Sequence, residues 1–302
     1  MALYHASYDP KNSTVFIESI GDNSAENGMG FVYSKEDDNY YIVTNYHVVD
    51  SGKRIYVYNL SNKKEKANLV YYDAYTDIAV LKINNKLNLK DVKFSTNEVK
   101  INDEIYYFNI HKNNIESGSI LSLNNEITIS SDYGNSYYKA VAIKADIENG
   151  NSGGPIFNNK EELIGMVSLN DEKNGEAYYI DYKLIHEIVT KLKNHTLIRP
   201  NLGGVFASST NVEALNESGV AVPNVIGVVV LGVMDDSILS DNGILKGDII
   251  TKINDKAVID VVDLQKEIYS YNIGDMVTID YYRDNVLNTI KITLKKWKRY
   301  YN

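Results

Sequence analysis

Between positions 14 and 170 the chain alternates short apolar stretches with polar turns. The stretches 15–20, 30–33, 40–44, 55–58, 78–83, 105–108, 119–123, 138–143 and 163–167 are rich in β-branched and aromatic residues, and clusters of Asn, Asp, Gly and Lys separate them. Such side chains suit a pleated, half-buried surface. Many short strands joined by turn chemistry predict a barrel or sandwich, not a parallel sheet with crossover helices.

The period then changes. Leu184, Ile185, Ile188, Val189 and Leu192 fall at helical spacing, so the pattern predicts a helix over 182–192 with one apolar face on the barrel. The following polar stretch, 194–201, contains Pro200, which cannot continue a helix. We place a domain boundary there: a first domain over 1–195, a linker over 196–201 and a second domain over 202–302. The second domain predicts strands at 205–207, 227–230, 249–253, 277–282 and 289–294, with short helices at 237–241 and 261–269. This is the pattern of a small α+β module, and the fold as a whole is expected to be mostly β.

Composition agrees with two globular domains. The chain has 302 residues, 44% hydrophobic and 24% charged, and no apolar run approaches the roughly 20 residues of a membrane-spanning helix. A net charge of −9, with no basic stripe before the last few residues, argues against nucleic acid as a partner. With no cysteine, disulfides, thiolate metal sites and a cysteine nucleophile are excluded. Residues 1–10 have neither the basic start nor the apolar core of a signal peptide, so an export signal or anchor is expected to be absent from this chain.

The strongest chemical signal is Gly150-Asn151-Ser152-Gly153-Gly154-Pro155, a turn before a strand. Its flanking glycines allow the backbone to present a serine hydroxyl together with the amides of Gly150 and Ser152, on either side of Asn151, as an oxyanion hole. An ordinary Gly/Ser turn would read the same way when taken alone. A serine needs a base within reach and a third group to hold that base. His47 follows the strand-like run 41–46 at a strand-to-turn junction, whereas His5, His111, His186 and His195 lie in settings that suggest solvated roles. Asp77 heads the buried-looking strand 77–83. It would either cap the preceding loop or accept the Nδ1 proton of His47.

The three stretches TNYHVV, DIAVLKI and GNSGGP, in the order His, Asp, Ser, resemble the trypsin-like superfamily, and specifically the HtrA (DegP-like) proteases. Gly28-Met29-Gly30-Phe31-Val32 and Leu163-Ile164-Gly165 resemble further family motifs. The resemblance implies a double β-barrel of chymotrypsin type and a catalytic triad of His47, Asp77 and Ser152, with an oxyanion hole at Gly150, Asn151 and Ser152. It implies no metal or organic cofactor. The sequence departs from the family at Glu148-Asn149, where Asn-Pro is usual before Gly-Asn-Ser, and at Phe108-Asn109-Ile110-His111, which replaces a Gly-Asn-Pro turn. Asp146 lies six positions before Ser152, where trypsin carries its specificity aspartate relative to its nucleophile. A buried carboxylate there would select Lys or Arg; Ile147 and Ser168 would instead line a pocket for small aliphatic residues.

The second domain resembles PDZ domains of the HtrA type through the run 240–250 and Ile253-Asn254. Leu202-Gly203-Gly204-Val205 then resembles the loop whose amides bind a peptide's C-terminal carboxylate; the alternative is a linker turn. The resemblance implies a serine endopeptidase acting on misfolded or unfolded polypeptides in protein quality control and the stress response. It also implies C-terminal or exposed hydrophobic peptides as PDZ partners, a homotrimer, and an extracytoplasmic location. Two other readings stay open on sequence alone: a PDZ-based chaperone or binding protein with little proteolytic activity, and a trypsin-like processing protease of narrow specificity.

Overall fold

The computed structural model describes residues 10–295 except 23, 85, 132–133, 172–175 and 198. The N-terminal stretch 1–9 and the basic end 296–302 lie outside the described residues. The chain divides into two compact units: residues 1–125 with 139–196, and residues 126–138 with 197–302. The sequence boundary near 196 therefore coincides with one division. The short segment 126–138, placed by sequence in the first domain, belongs to the second unit.

The first unit is built on two closed six-stranded antiparallel barrels. The strands of the first are β1 (Thr14–Ile20), β2 (Ala25–Glu36), β3 (Asn39–Asn45), β4 (Arg54–Asn59), β5 (Lys64–Asp73) and β6 (Ile78–Asn84), in the order β1-β2-β3-β6-β5-β4. Its core gathers Val15, Ile17, Val32, Ile42, Val57, Ala79 and Leu81. Burial alternates along β1 and β4 and is continuous over the first four residues of β6, so β6 starts inside and emerges only toward Asn84.

The second barrel contains β7 (Glu104–Asn109), β8 (Asn114–Ser131), β9 (Gly134–Lys144), β10 (Pro155–Phe157), β11 (Leu163–Asp171) and β12 (Glu176–Asp181), in the order β10-β11-β12-β9-β8-β7. Ile105, Tyr107, Ile143, Ile156, Ile164 and Tyr179 fill it. Helix α1 (Tyr182–Lys193) follows, N-capped by Asp181 and burying Ile185, Ile188 and Val189 as its spacing predicts.

The second unit is a small sheet ordered β13-β14-β15-β17-β18, with β13 (Gly204–Ser208), β14 (Val228–Val233), β15 (Ile249–Ile253), β17 (Met276–Arg283) and β18 (Val286–Thr293); β16 (Lys256–Ala257) pairs with β15. Helices α2 (Val212–Glu217), α3 (Ile238–Asp241) and α4 (Val261–Ile268) accompany it. Five of these elements were not anticipated from sequence: β5, β10, β12, β16 and α2.

Candidate active site and peptide groove

His47 sits in the turn directly after β3, and Asp77 directly before β6; the two strands pair with Asn45 opposite Ile78. The local chain is shaped to bring them together. Asp73 closes the turn ahead of β6 by accepting hydrogen bonds from the amide and hydroxyl of Thr76. Asp77 then takes a left-handed backbone, φ 54°, which Asp and Asn tolerate better than other non-glycine residues. Its carbonyl accepts from the Tyr46 amide and the Asn45 side chain. Its carboxylate is almost fully buried and engages His47 twice: Oδ1 accepts from the His47 amide at 2.8 Å, and Oδ2 lies 2.7 Å from Nδ1.

A carboxylate can only accept, so this contact assigns the Nδ1 proton to His47 and leaves Nε2 as the proton acceptor. Burial pulls the imidazole pKa down, but the hydrogen bond and negative charge of Asp77 outweigh it and hold the pKa above the ordinary value.

Ser152 lies in the turn before β10, half-buried. The turn is locked against the first barrel because the Met29 amide donates to the Ser152 carbonyl at 2.8 Å. The Gly153 amide donates to the Val167 carbonyl at 3.0 Å, the Val167 amide donates back to the Gly154 carbonyl at 2.9 Å, and Gly153 has φ 82°. A Cβ there would fall 2.2 Å from the Met29 carbonyl and 2.5 Å from Thr44 Oγ1, so only glycine fits. These contacts place Ser152 beside β2 and the end of β3, immediately before His47. The Ser152 hydroxyl and the amides of Gly150 and Ser152 make no hydrogen bond among the described residues, the imidazole of His47 included. In unliganded enzymes the nucleophile–base contact commonly tightens only when substrate arrives. A cavity of about 250 Å³ lined by Phe16, Met29, Leu60, Phe108 and Ile110 adjoins this loop.

The specificity residues expected from sequence fare unequally. The Asp146 carboxylate is 61% exposed and paired with Lys112 Nζ at 2.8 Å. It is therefore not the buried, unpaired charge that a preference for Lys or Arg requires. Ile147 is buried in the second-barrel core, and Ser168 is buried on β11 next to Val167. His111, expected to be merely solvated, places Nε2 2.8 Å from the Asn149 carbonyl, next to the nucleophile loop. The replaced turn at 108–111 marked the segment as unusual without pointing to this contact.

In the second unit, Leu202 and Gly203 precede β13. Gly203 has φ 76° and donates its amide to Asn201 Oδ1, while its carbonyl and that of Leu202 accept from Met234 and Leu239. Gly204 and Val205 begin β13 and pair with β14. Between β13 and α4 lies a groove lined by Leu202, Phe206, Val261, Leu264 and Ile268, reduced to a cavity of about 40 Å³. Tyr137 of the same unit, itself buried, lines it too. Its hydroxyl accepts from the Phe206 amide at 2.8 Å, its amide donates to Gln265 Oε1 at 2.9 Å, and its carbonyl accepts from Gln265 Nε2 at 2.6 Å.

Two closed barrels with a histidine–aspartate pair on one and a glycine-flanked serine on the other define a trypsin-like serine peptidase, here followed by a PDZ domain. A trypsin-like peptidase domain matches residues 28–166, and a PDZ domain matches 192–294. The chain is 30% identical to the serine protease Do-like HtrA of Lactococcus lactis subsp. lactis, over 94% of this chain and 76% of that one. It is also 30% identical to the serine protease HtrA-like of Staphylococcus haemolyticus, over 95% of this chain and 48% of that one. Its fold is similar to the HtrA-type protease AlgW with tripeptide (TM-score 0.71, 23% identity, 95% and 96% covered). The serine endoprotease from Yersinia pestis is also similar (TM-score 0.68, 24% identity, 94% of each chain covered). The chain belongs to the HtrA family of serine proteases. It is a trypsin-like serine endopeptidase, a class that acts on polypeptides, and its PDZ domain is a peptide-binding module.

Proposed function

We propose that Ser152 is the nucleophile, His47 the general base and then acid, and Asp77 the group that fixes the imidazole. The observation that carries this reading is the doubly hydrogen-bonded His47–Asp77 pair beside a serine whose hydroxyl and flanking amides are unengaged. Ser152 Oγ attacks the peptide carbonyl carbon as its proton passes to His47 Nε2. The carbonyl oxygen gains charge against the amides of Gly150 and Ser152, which bracket Asn151. The C–N bond then breaks, His47 gives its proton to the leaving amine, and water, deprotonated by His47, hydrolyses the acyl-enzyme. Ile147 and Ser168 border a pocket for a small aliphatic side chain. Asp146 does not select substrate, because Lys112 already neutralises it in solvent.

The substrates are misfolded or unfolded polypeptides, whose chains can enter the cleft extended, so the protein serves quality control under stress. The loop Leu202-Gly203-Gly204-Val205 receives the C-terminal carboxylate of a peptide, which adds as a strand along β13. An extracytoplasmic setting and a homotrimer follow from family membership alone. Covalent labelling by a fluorophosphonate tests the triad: labelling and casein degradation are expected from the intact protein and lost in Ser152→Ala. Peptide profiles of the casein digest report the cleavage preference, and equal processing after Arg and after Val supports a non-selecting Asp146.

A further inference from the structure

Resting on the triad reading above, we propose that His111 is a positioning residue for the oxyanion hole, holding the Asn149–Gly150 peptide so that the Gly150 amide faces the reacting carbonyl. A trans peptide directs its C=O and N–H to opposite sides of the chain. With the Asn149 carbonyl fixed at 2.8 Å from His111 Nε2, the Gly150 N–H is aimed away from His111. Gly150 has φ 95° and little around it: even an added Cβ would meet nothing closer than Ile110 Cγ2 at 3.6 Å. The 149–150 peptide is the central peptide of the turn closed by the Asn151 amide on the Glu148 carbonyl at 3.1 Å, and glycine adopts either sign of φ, so this peptide flips unless something holds it; one flip would withdraw the donor and present a carbonyl in its place.

The turn between β7 and β8 is built to deliver this contact. Asn109 is fully buried, and its Oδ1 accepts from the amides of His111 and Lys112, both at 3.0 Å, which shapes the turn. Its Nδ2 donates to the Asp146 carbonyl at 2.9 Å, and Tyr107 Oη donates to the same oxygen at 3.2 Å. The Ile110 amide donates to Asn151 Oδ1 at 3.2 Å. Residues 107–111 therefore grip the nucleophile loop at 146, 149 and 151, and His111 holds the one peptide whose orientation decides whether the hole exists. Because a carbonyl only accepts, His111 must carry a proton on Nε2.

The test compares His111→Phe, which keeps a ring but removes the donor, with His111→Gln, which keeps a donor, in the full chain. For a peptide substrate taken from the casein digest, His111→Phe is expected to lower kcat by about 10- to 100-fold with KM little changed, short of the about 10²–10³-fold cost of deleting an oxyanion donor outright. A peptide aldehyde, which forms a tetrahedral adduct with Ser152, should bind His111→Phe more weakly by the same factor, and the matching alcohol should bind equally. His111→Gln should restore most of both. Thermal melting verifies folding of both variants. If the two lose activity to the same extent, or if His111→Phe matches the parent in kcat and aldehyde affinity while Ser152→Ala is inactive, the positioning role is wrong and the triad stands. If Ser152→Ala retains parental proteolysis, the triad reading falls, and this inference falls with it.

Discussion

The loop around Ser152 keeps its hydroxyl unengaged, whereas the groove between β13 and α4 of the PDZ unit is lined and hydrogen-bonded by Tyr137 of its own chain. Around Ser152 the hydrogen bonds run to the scaffold through the Ser152 carbonyl, Gly153 and Gly154, and within the loop from Asn151 to Glu148 and from Gly154 to Asn151; among the described residues none consumes the Ser152 hydroxyl or the amides of Gly150 and Ser152. Along the groove between β13 and α4, Tyr137 engages the Phe206 amide and both ends of the Gln265 side-chain amide. One site is prepared by bracing what surrounds it. The other is stabilised by a stand-in for its ligand, so an incoming peptide must compete with burial and hydrogen bonds already made.

The largest effect that would test this contrast is Ser152→Ala. Measured as kcat on a casein-derived peptide, it is expected to drop by about 10⁶-fold, since removing a triad nucleophile alone costs nearly as much as removing the whole triad. Next comes Asp77→Asn, which would leave the shape of the turn but reverse the tautomer preference of His47. A loss of about 10⁴-fold in kcat is expected, and retention of activity would show that the 2.7 Å contact to Nδ1 has no catalytic consequence.

Smaller, but aimed at the other side of the contrast, is Tyr137→Ala. Fluorescence anisotropy with a labelled peptide ending in an apolar residue and a free carboxylate should show roughly 3- to 10-fold tighter binding, because the binding-competent fraction rises. Unchanged or weaker binding would mean that the groove is not held shut by Tyr137. The smallest effect is in pH dependence. The base must be neutral, so kcat/KM is full above the His47 pKa and declines as pH falls through it. Because Asp77 raises that pKa, the acid limb is expected above about 6.5, the ordinary histidine value. A limb at or below that value would contradict the electrostatic role of Asp77.

Much of the architecture was legible because buried strands carry their own pattern. β6 is buried continuously from Ile78 to Leu81, and α1 buries Ile185, Ile188 and Val189 as its spacing required. β5 escaped notice because only Ala67 and Asp73 are buried in a strand dominated by Lys, Glu, Asn and Tyr, and β10 because it has three residues. His47, Asp77 and Ser152 could be named because each sits in a distinctive run. His111 could not, since a histidine in a polar turn looks the same whether it meets water or a carbonyl 38 positions away. Asp146 stayed open between two readings for a similar reason: sequence gives its distance from Ser152 along the chain, but not the lysine that faces it. Tyr137 lies just before the strand expected at 138–143, with nothing local to announce a partner at 265.

The assignment of residues 126–138 to the second unit has a practical consequence for anyone who cuts the chain. A fragment starting at 197 would contain every strand and helix of the PDZ sheet, yet it would lack the tyrosine that packs with Leu202, Leu264 and Ile268. Such a piece would show an emptied, more adhesive groove, and affinities measured on it would overstate what the intact protein offers its peptides.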